Sequence, residues 1–393
     1  MRLLLYIVFV LSTTTGFTQA IPLSQDTTVS VITFGPGSNL NDAFGHNAIR
    51  IKSRFADIAY DFGRYNFDDP NFYLDFARGK LNYLQGKSNY KNFIAFYISE
   101  NRTIKEQQLR LTQAEIKQLY DYLEANYKKD QGAYLYDFFY DNCATKIRDV
   151  IETTLDGNLE YNLPEDYKQQ TFRQLIDHNL HWNTWGSFGI DIALGSIIDR
   201  QATPREQLFL PEKVNQFFEL ATLKDSKEKL VTASKTIFTK KGENENKNSF
   251  FLTSPLLLTL VLALVILYIT YSDNKNNARN KGLDLALFTV TGLIGILLFL
   301  LWFATDHTGT TYNYNLLWAF PLSLFCILQI LKTSPKKWFI AYIKFSILML
   351  CLIVMHWTIG VQRFAPALAP LLLALAVRYI YLLRFYKLTE NKA

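Results

Sequence analysis

The sequence predicts an α+β fold class: an exported domain over residues 21–220, a linker over 221–250 and a bundle of five transmembrane helices over 251–393. Three observations predict it. The 393-residue chain is 49% hydrophobic and only 19% charged, which is too apolar for disorder. Its charge is segregated: residues 251–393 carry 12 Lys and Arg against 4 Asp and Glu, leaving 29 against 31 in the first 250 residues. Strand and helix signals alternate before residue 220, whereas long apolar runs fill the rest. The basic balance thus belongs to cations between apolar runs and does not indicate nucleic acid, and a purely cytosolic enzyme is excluded.

The elements follow in order. Met1-Arg2, the apolar run Leu3–Leu11 and the small residues ending at Ala20 have the layout of a secretory signal peptide over residues 1–20, too short to cross a bilayer. A strand is predicted at 29–34, ending in the turn Gly35-Pro36-Gly37, followed by strands near 44–52 and 57–63. A helix is predicted near 70–78 and a further strand near 92–103. Thr112 with Glu115 forms a capping box before Ile116, Leu119, Tyr120 and Leu123, which predicts a helix over 113–128.

The apolar stretches at 252–271, 283–304, 316–331, 338–359 and 364–385 are each near the ~20 residues needed to cross about 30 Å of hydrocarbon. With the first domain outside, Lys275, Arg279, Lys281, Lys332, Lys336, Lys337, Arg384, Lys387 and Lys392 fall on the cytoplasmic side, while the outward connection 305–315 has no Lys or Arg. That asymmetry predicts an inner-membrane protein with its N-terminal domain in the periplasm. Lys344 and Arg378, toward the cytoplasmic ends of their helices, are expected to snorkel, with an internal ionic role as the alternative.

Cysteine usage points to chemistry. The exported domain holds a single Cys, Cys143, which has no partner for an internal disulfide. Apolar residues at 147, 150, 151 and 155 put Cys143 in the first turn of an amphipathic helix, where N–H groups and the helix dipole favour a thiolate and can receive an oxyanion. Of the exported histidines, His46 in Phe44-Gly45-His46-Asn47 is held by a β-like segment, whereas His178 and His181 lie beside Trp182 and Trp185. An inert buried thiol and a hydrogen-bonded core histidine are the structural alternatives. Together, a strand-borne His preceding a helix-borne Cys matches a permuted papain-like arrangement. No His/Cys spacing suits a metal and no Gly-rich loop opens a helix, so neither metal, nucleotide nor other cofactor is expected.

Thr33-Phe34-Gly35-Pro36-Gly37, Phe44-Gly45-His46-Asn47-Ala48-Ile49-Arg50, Tyr60-Asp61-Phe62-Gly63, Asn71-Phe72-Tyr73-Leu74 and Asp141-Asn142-Cys143-Ala144-Thr145 carry a resemblance that continues through Phe209-Leu210-Pro211 to Asp306-His307 and Asn313-Tyr314-Asn315-Leu316-Leu317-Trp318. In these motifs the chain resembles the lipoprotein N-acyltransferase family of the Lnb type. The resemblance implies a permuted papain-like thiol domain on a membrane anchor. It also implies transfer of an acyl chain from a phospholipid to the α-amine of a diacylglyceryl-modified lipoprotein.

Within that expectation Cys143 is the nucleophile and His46 its base. Asp61 orients the imidazole, or is a turn acid; Asn142 is an oxyanion or positioning donor, or simply a helix cap. Asp306, His307, Asn313, Asn315, His356, Gln362 and Arg363 gather at the outer interface, as headgroup ligands or as polar loop residues that meet water. Trp182, Trp185, Phe188 and Ile190 guide acyl chains or form a core helix. A membrane-anchored cell-wall cysteine peptidase or amidase, and a non-catalytic membrane scaffold, are the rival functions; five spans exceed what a peptidase anchor requires.

Overall fold

In Thr28–Phe34 (β1) every residue after the first is buried, with Val29 and Val31 in one apolar cluster and Ile32 and Phe34 in another. That period of two on both faces makes β1 an interior strand. The computed structural model describes residues 23–242, 251–332 and 334–390, so the predicted signal peptide and the end of the predicted linker lie outside the described residues. β1 pairs antiparallel with His46–Lys52 (β2), which pairs with Asp57–Arg64 (β3), at the centre of a seven-stranded sheet in the order β6-β4-β3-β2-β1-β5-β7. The outer members are Asn82–Asn89 (β4), Ile104–Leu109 (β5), Tyr134–Leu135 (β6) and Val231–Phe238 (β7).

One face of the sheet is covered by Gln113–Lys128 (α3), Cys143–Thr154 (α4) and Pro211–Leu220 (α7), through Leu119, Leu123, Ile147, Ile151, Val214 and Phe217. The opposite face receives Phe93, Ile94 and Tyr97 of Tyr90–Ser99 (α2). Ahead of them lies the short helix Phe72–Arg78 (α1). The capping box of Thr112 and Glu115 starts α3 where the sequence places it.

Two expectations for the exported domain are corrected. The strand predicted near 92–103 is not formed; most of it lies in the helix Tyr90–Ser99, where the Asn89 side chain accepts from Lys91 N, and Phe93, Ile94 and Tyr97 face inward at helical spacing while Phe96 and Ile98 stay exposed. Residues 231–238, expected in the linker, form the edge strand β7 on β5. Their run of exposed polar residues conceals the strand, although Lys235, paired with Glu106, is typical of a protected edge.

Phe172–Asp177 (α5) and Trp185–Ala193 (α6) precede α7, and beyond β7 the regular elements among the described residues are all helical. Four helices among the described residues are long and apolar enough to cross a membrane: Pro255–Lys275 (α8), Lys281–Phe303 (α9), Lys337–Thr358 (α11) and Ala369–Glu390 (α12). The predicted third span, 316–331, is not one continuous helix. A 3-10 turn, Tyr314–Leu317, is followed by a break at Phe320-Pro321 and the eight-residue helix Ser323–Ile330 (α10). Its ends reach opposite ends of the bundle, since Asn315 Nδ2 donates to Asp191 O of the first domain and Arg279 donates to Ile330 O beside the predicted cytoplasmic loop.

Irregular backbone at membrane depth must be shielded by protein. Gly292 and Gly295 of α9 provide the shield: a Cβ on Gly295 would meet Ala319 O at 2.2 Å, and one on Gly292 would meet Leu324 N at 2.8 Å.

Arg378 also departs from expectation. Instead of snorkelling it is fully buried, with Nε 2.7 Å from Asp284 and Nη1 2.7 Å from Asp273. Apolar stem and charged head are both inside because two carboxylates on α8 and α9 meet it there. Arg378→Ala is expected to cost about 3–5 kcal/mol by leaving these acids uncompensated. A thermal midpoint in detergent indistinguishable from that of the unaltered protein would contradict this. Lys344, by contrast, stays on its helix surface.

Candidate active site

The thiol is placed by its helix cap. Asn142 Oδ1 accepts from Ala144 N at 2.8 Å and Thr145 N at 2.9 Å, while Asn142 N donates to Thr145 Oγ1 at 2.7 Å. Asn142 Nδ2 donates to Phe138 O and Phe209 O, which ties the turn before α4 to the segment before α7. The amide of Asn142 is thus engaged at both ends, and the residue positions Cys143 rather than presenting a donor outward. With the N–H groups of Ala144 and Thr145 capped, that of Cys143 is left as the first-turn donor.

His46 opens β2 immediately after Gly45, whose φ of +86° suits glycine and where a Cβ would sit 2.6 Å from Phe34 O. The ring is layered with Phe34 and Tyr97, whose centroids lie 6.2 and 6.1 Å away. His46 Nε2 is 3.1 Å from Asp61 Oδ2, and the other ring nitrogen is left for the hydrogen bond between His46 and the thiol of Cys143. Asp61 is 3% exposed and receives Arg64 at its other oxygen, with Nη2 2.7 Å away. The structure therefore brings together Cys143, His46 and Asp61, with Asn142 behind them.

The electrostatics of the three groups agree with the geometry. Burial opposes charge on the His46 ring, but Cys143 and Asp61 outweigh it and raise the imidazole to about 9. Burial also pushes the Cys143 thiol up; the imidazolium charge, its hydrogen bond and the Asn47 N–H overcome that and bring the thiol below its ordinary value. For Asp61, burial is likewise outweighed by His46 and Arg64, which hold the carboxyl below its ordinary value. The two shifts run in the directions that favour a thiolate–imidazolium pair, the state needed for nucleophilic catalysis.

Sequence reasoning missed Arg64 because three positions along a regular strand puts it on the face opposite Asp61. A β-bulge between Phe62 and Arg64, with Gly63 at φ +94°, reverses that parity. The glycine was the available signal. Tyr134 and Tyr136, near the thiol, were also missed, as both fall in a stretch without periodicity.

The outer-interface residues take several roles. Asn313 and Asn315 are buried and donate to the carbonyls of Asp191, Ile192 and Ala193 at the end of α6, while Gln362 accepts from Tyr314 N. They dock the first domain on the helical bundle. Gly195 permits this contact, since a Cβ there would sit 1.9 Å from Thr311 O. Arg363 pairs with Asp177 and is half-exposed. His356 bonds Leu352 O and lies against the Tyr314 ring. Asp306 and His307 meet α1: Asp306 N donates to Arg78 O at 2.9 Å, and His307 Nε2 is 3.0 Å from Phe76 O.

In α6, Trp185 Nε1 donates to Thr253 O just before α8, and Phe188 packs on the bundle core. His178 and His181 are engaged by Gln170 and Asn183. No group of three or more His, Cys, Asp or Glu side chains among the described residues could hold a metal ion.

The loop between α9 and α10 also reaches the active-site turn, because Thr308 Oγ1 donates to Asp137 Oδ2 at 2.6 Å, six residues before Cys143. Residues 15–178 match the model of the Lnb N-terminal periplasmic domain, and residues 245–389 match that of the Lnb transmembrane domain. No curated protein and no solved structure matches the chain. Two consecutive matches, covering both the domain that carries His46 and Cys143 and the apolar bundle, place the chain in the Lnb family, as a membrane protein with a periplasmic domain.

Proposed function

We propose that the protein moves an acyl chain from a phospholipid, through a thioester on Cys143, to the free α-amine of a diacylglyceryl-modified lipoprotein. The observation that carries this reading is the Cys143–His46–Asp61 array, set in a domain whose active-site turn is bonded to the α9–α10 loop of the membrane bundle. A hydrocarbon tail does not travel through water, so a nucleophile that takes it from one lipid and gives it to another has to work beside the bilayer. The strand-borne His and helix-borne Cys also support the permuted papain-like reading of the periplasmic domain.

In the first half-reaction the Cys143 thiolate attacks the ester carbonyl of the phospholipid. The tetrahedral oxyanion is received by the Cys143 N–H, and collapse expels the glycerol oxygen, which takes the imidazolium proton and leaves as lysophospholipid. In the second, a neutral lipoprotein amine attacks the thioester, its proton passes to His46, and the thiolate departs as the amide forms. Asp61, fixed by Arg64, keeps the ring oriented and stabilises its charge in both halves. The half-exposed Arg363, with Asp306 and His307, is proposed to meet the phospholipid headgroup, while Asn313 and Asn315 support the site through docking.

The ion pair sets the pH dependence. The imidazolium exists below about 9, and the thiolate above the lowered value of Cys143, so the pH profile of thiol alkylation should show a plateau between those two limits. Asp61→Asn removes a charge that raises His46, so the upper limit of the plateau should move down. An unaltered profile measured with iodoacetamide would contradict this role.

Transfer itself is tested with the purified full chain in phospholipid nanodiscs and a synthetic diacylglyceryl lipopeptide. Equimolar N-acylated lipopeptide and lysophospholipid are expected. Cleavage of muropeptides without lipid turnover would replace this reading by the peptidase or amidase, and lipid turnover that survives Cys143→Ala would remove the thiol from the chemistry.

A further inference from the structure

Helix α1 presents an apolar surface that a water-facing helix has no reason to carry. Tyr73 is 80% exposed, Leu74 56% and Phe76 53%, and Phe67 just before the helix is 64% exposed. The helix is fastened to the bundle beside the end of an apolar helix. α9 runs over 23 residues, about 34 Å, enough to cross the hydrocarbon, and ends at the exposed Phe303. Three residues later Asp306 N is bonded to Arg78 O, and His307 to Phe76 O. Gly79 makes the approach possible, because a Cβ there would lie 2.9 Å from His307 N. The exposed side chains are thus held beside the end of α9, with Asp68 and Asp69 before them and Arg78 and Lys80 after them as polar flanks.

A row of aromatic rings leads inward from this helix. Phe72 lies 5.8 Å from Tyr65, Tyr65 lies 5.5 Å from Tyr83, and Tyr83 is stacked on Tyr136 at 4.2 Å. The row ends at the thiol: a Cβ on Gly63 would lie 3.7 Å from the Tyr136 ring and 3.8 Å from Cys143 Cβ. Ring faces offer a hydrocarbon tail an apolar wall, and Gly63 adds no side chain at its last step.

We propose that α1 is immersed in the outward-facing leaflet of the membrane, with Tyr73, Leu74 and Phe76 among the phospholipid tails, and that an acyl chain rises from there along Tyr65, Tyr83 and Tyr136 to Cys143. The occupant of the exposed face is the phospholipid leaflet. The second part of the proposal rests on the acyl-transfer reading; immersion does not.

The test is a depth measurement on the full chain, with Cys143, Cys326 and Cys351 replaced by Ala, in nanodiscs of phosphatidylethanolamine and phosphatidylglycerol. Spin labels are placed singly at Leu74→Cys and Tyr73→Cys, with Phe303→Cys at the end of α9 and Tyr122→Cys on the exposed side of α3 as references. Labels at 73 and 74 are expected to relax with dissolved oxygen and resist a water-soluble nickel chelate, as at 303 and opposite to 122. Ready relaxation by the chelate at both positions, as at 122, overturns immersion. Shielding from both agents also overturns it, since protein, a second copy or a lipoprotein chain, would then cover the face. The two references in the same background show that the altered chain is folded. Depth is read without turnover, so its failure leaves the thioester reading standing, and failure to trap a thioester leaves the depth result standing.

Discussion

Cys143→Ser is expected to lower acyl transfer by roughly 10³-fold or more while leaving the fold intact. Oxygen for sulfur is a small change in volume at a half-buried position, so the stability change should stay within about 1 kcal/mol. The chemistry changes far more. The imidazolium and the Asn47 N–H bring a thiol below its ordinary value, but a serine hydroxyl starts so much higher that the same two contacts leave it neutral. Circular dichroism and thermal melting in detergent, beside a lipopeptide transfer assay, check both halves of the expectation. Near-full activity in the serine variant would show that ionisation of this group is not needed.

His46→Ala should lower transfer by about 10²–10⁴-fold for a different reason. Without the imidazolium, burial prevails and the Cys143 thiol moves up, so its alkylation at neutral pH should also slow. The leaving glycerol oxygen and the attacking amine lose their proton partner as well. His46→Ala, unlike an alteration confined to headgroup binding, should therefore depress transfer and iodoacetamide reactivity together. A variant that loses transfer while its thiol alkylates at the original rate would assign His46 to substrate binding instead.

Much of this site is legible in the sequence because it is built from local signals. Asn142, Cys143 and the apolar positions 147, 150, 151 and 155 specify a capped amphipathic helix with the thiol in its first turn, and α4 forms as those residues dictate. Gly45-His46 opens a strand for equally local reasons. The residues that elude sequence reasoning depend on departures from regular periodicity or on distant partners. Arg64 reaches Asp61 only through a bulge at Gly63. Asn313 and Asn315 look like open polar loop residues until the carbonyls of α6, more than a hundred positions away, take their donors.

The same distinction runs through the fold. Hydropathy finds apolar length, and four predicted spans are continuous helices, but it does not show that Pro321 divides the remaining stretch against Gly292 and Gly295. Arg378 looks like a snorkelling cation in its own helix; Asp273 and Asp284 of two other helices make it a buried ion pair. For residues 90–99, an aromatic-rich run too short to separate the two periods, the Asn89 cap decides for helix.

The central claim is that the sulfur of Cys143 carries the acyl chain between donor and acceptor. Its most direct measurement is intact-protein mass spectrometry of the full chain incubated with phospholipid of a single acyl composition and no lipopeptide. The account predicts an added mass of one acyl group, mapped to Cys143, removed by neutral hydroxylamine, discharged by a diacylglyceryl lipopeptide, and missing from Cys143→Ala. N-acylated lipopeptide formed at full rate with no hydroxylamine-sensitive adduct on Cys143 under single-turnover conditions would contradict it.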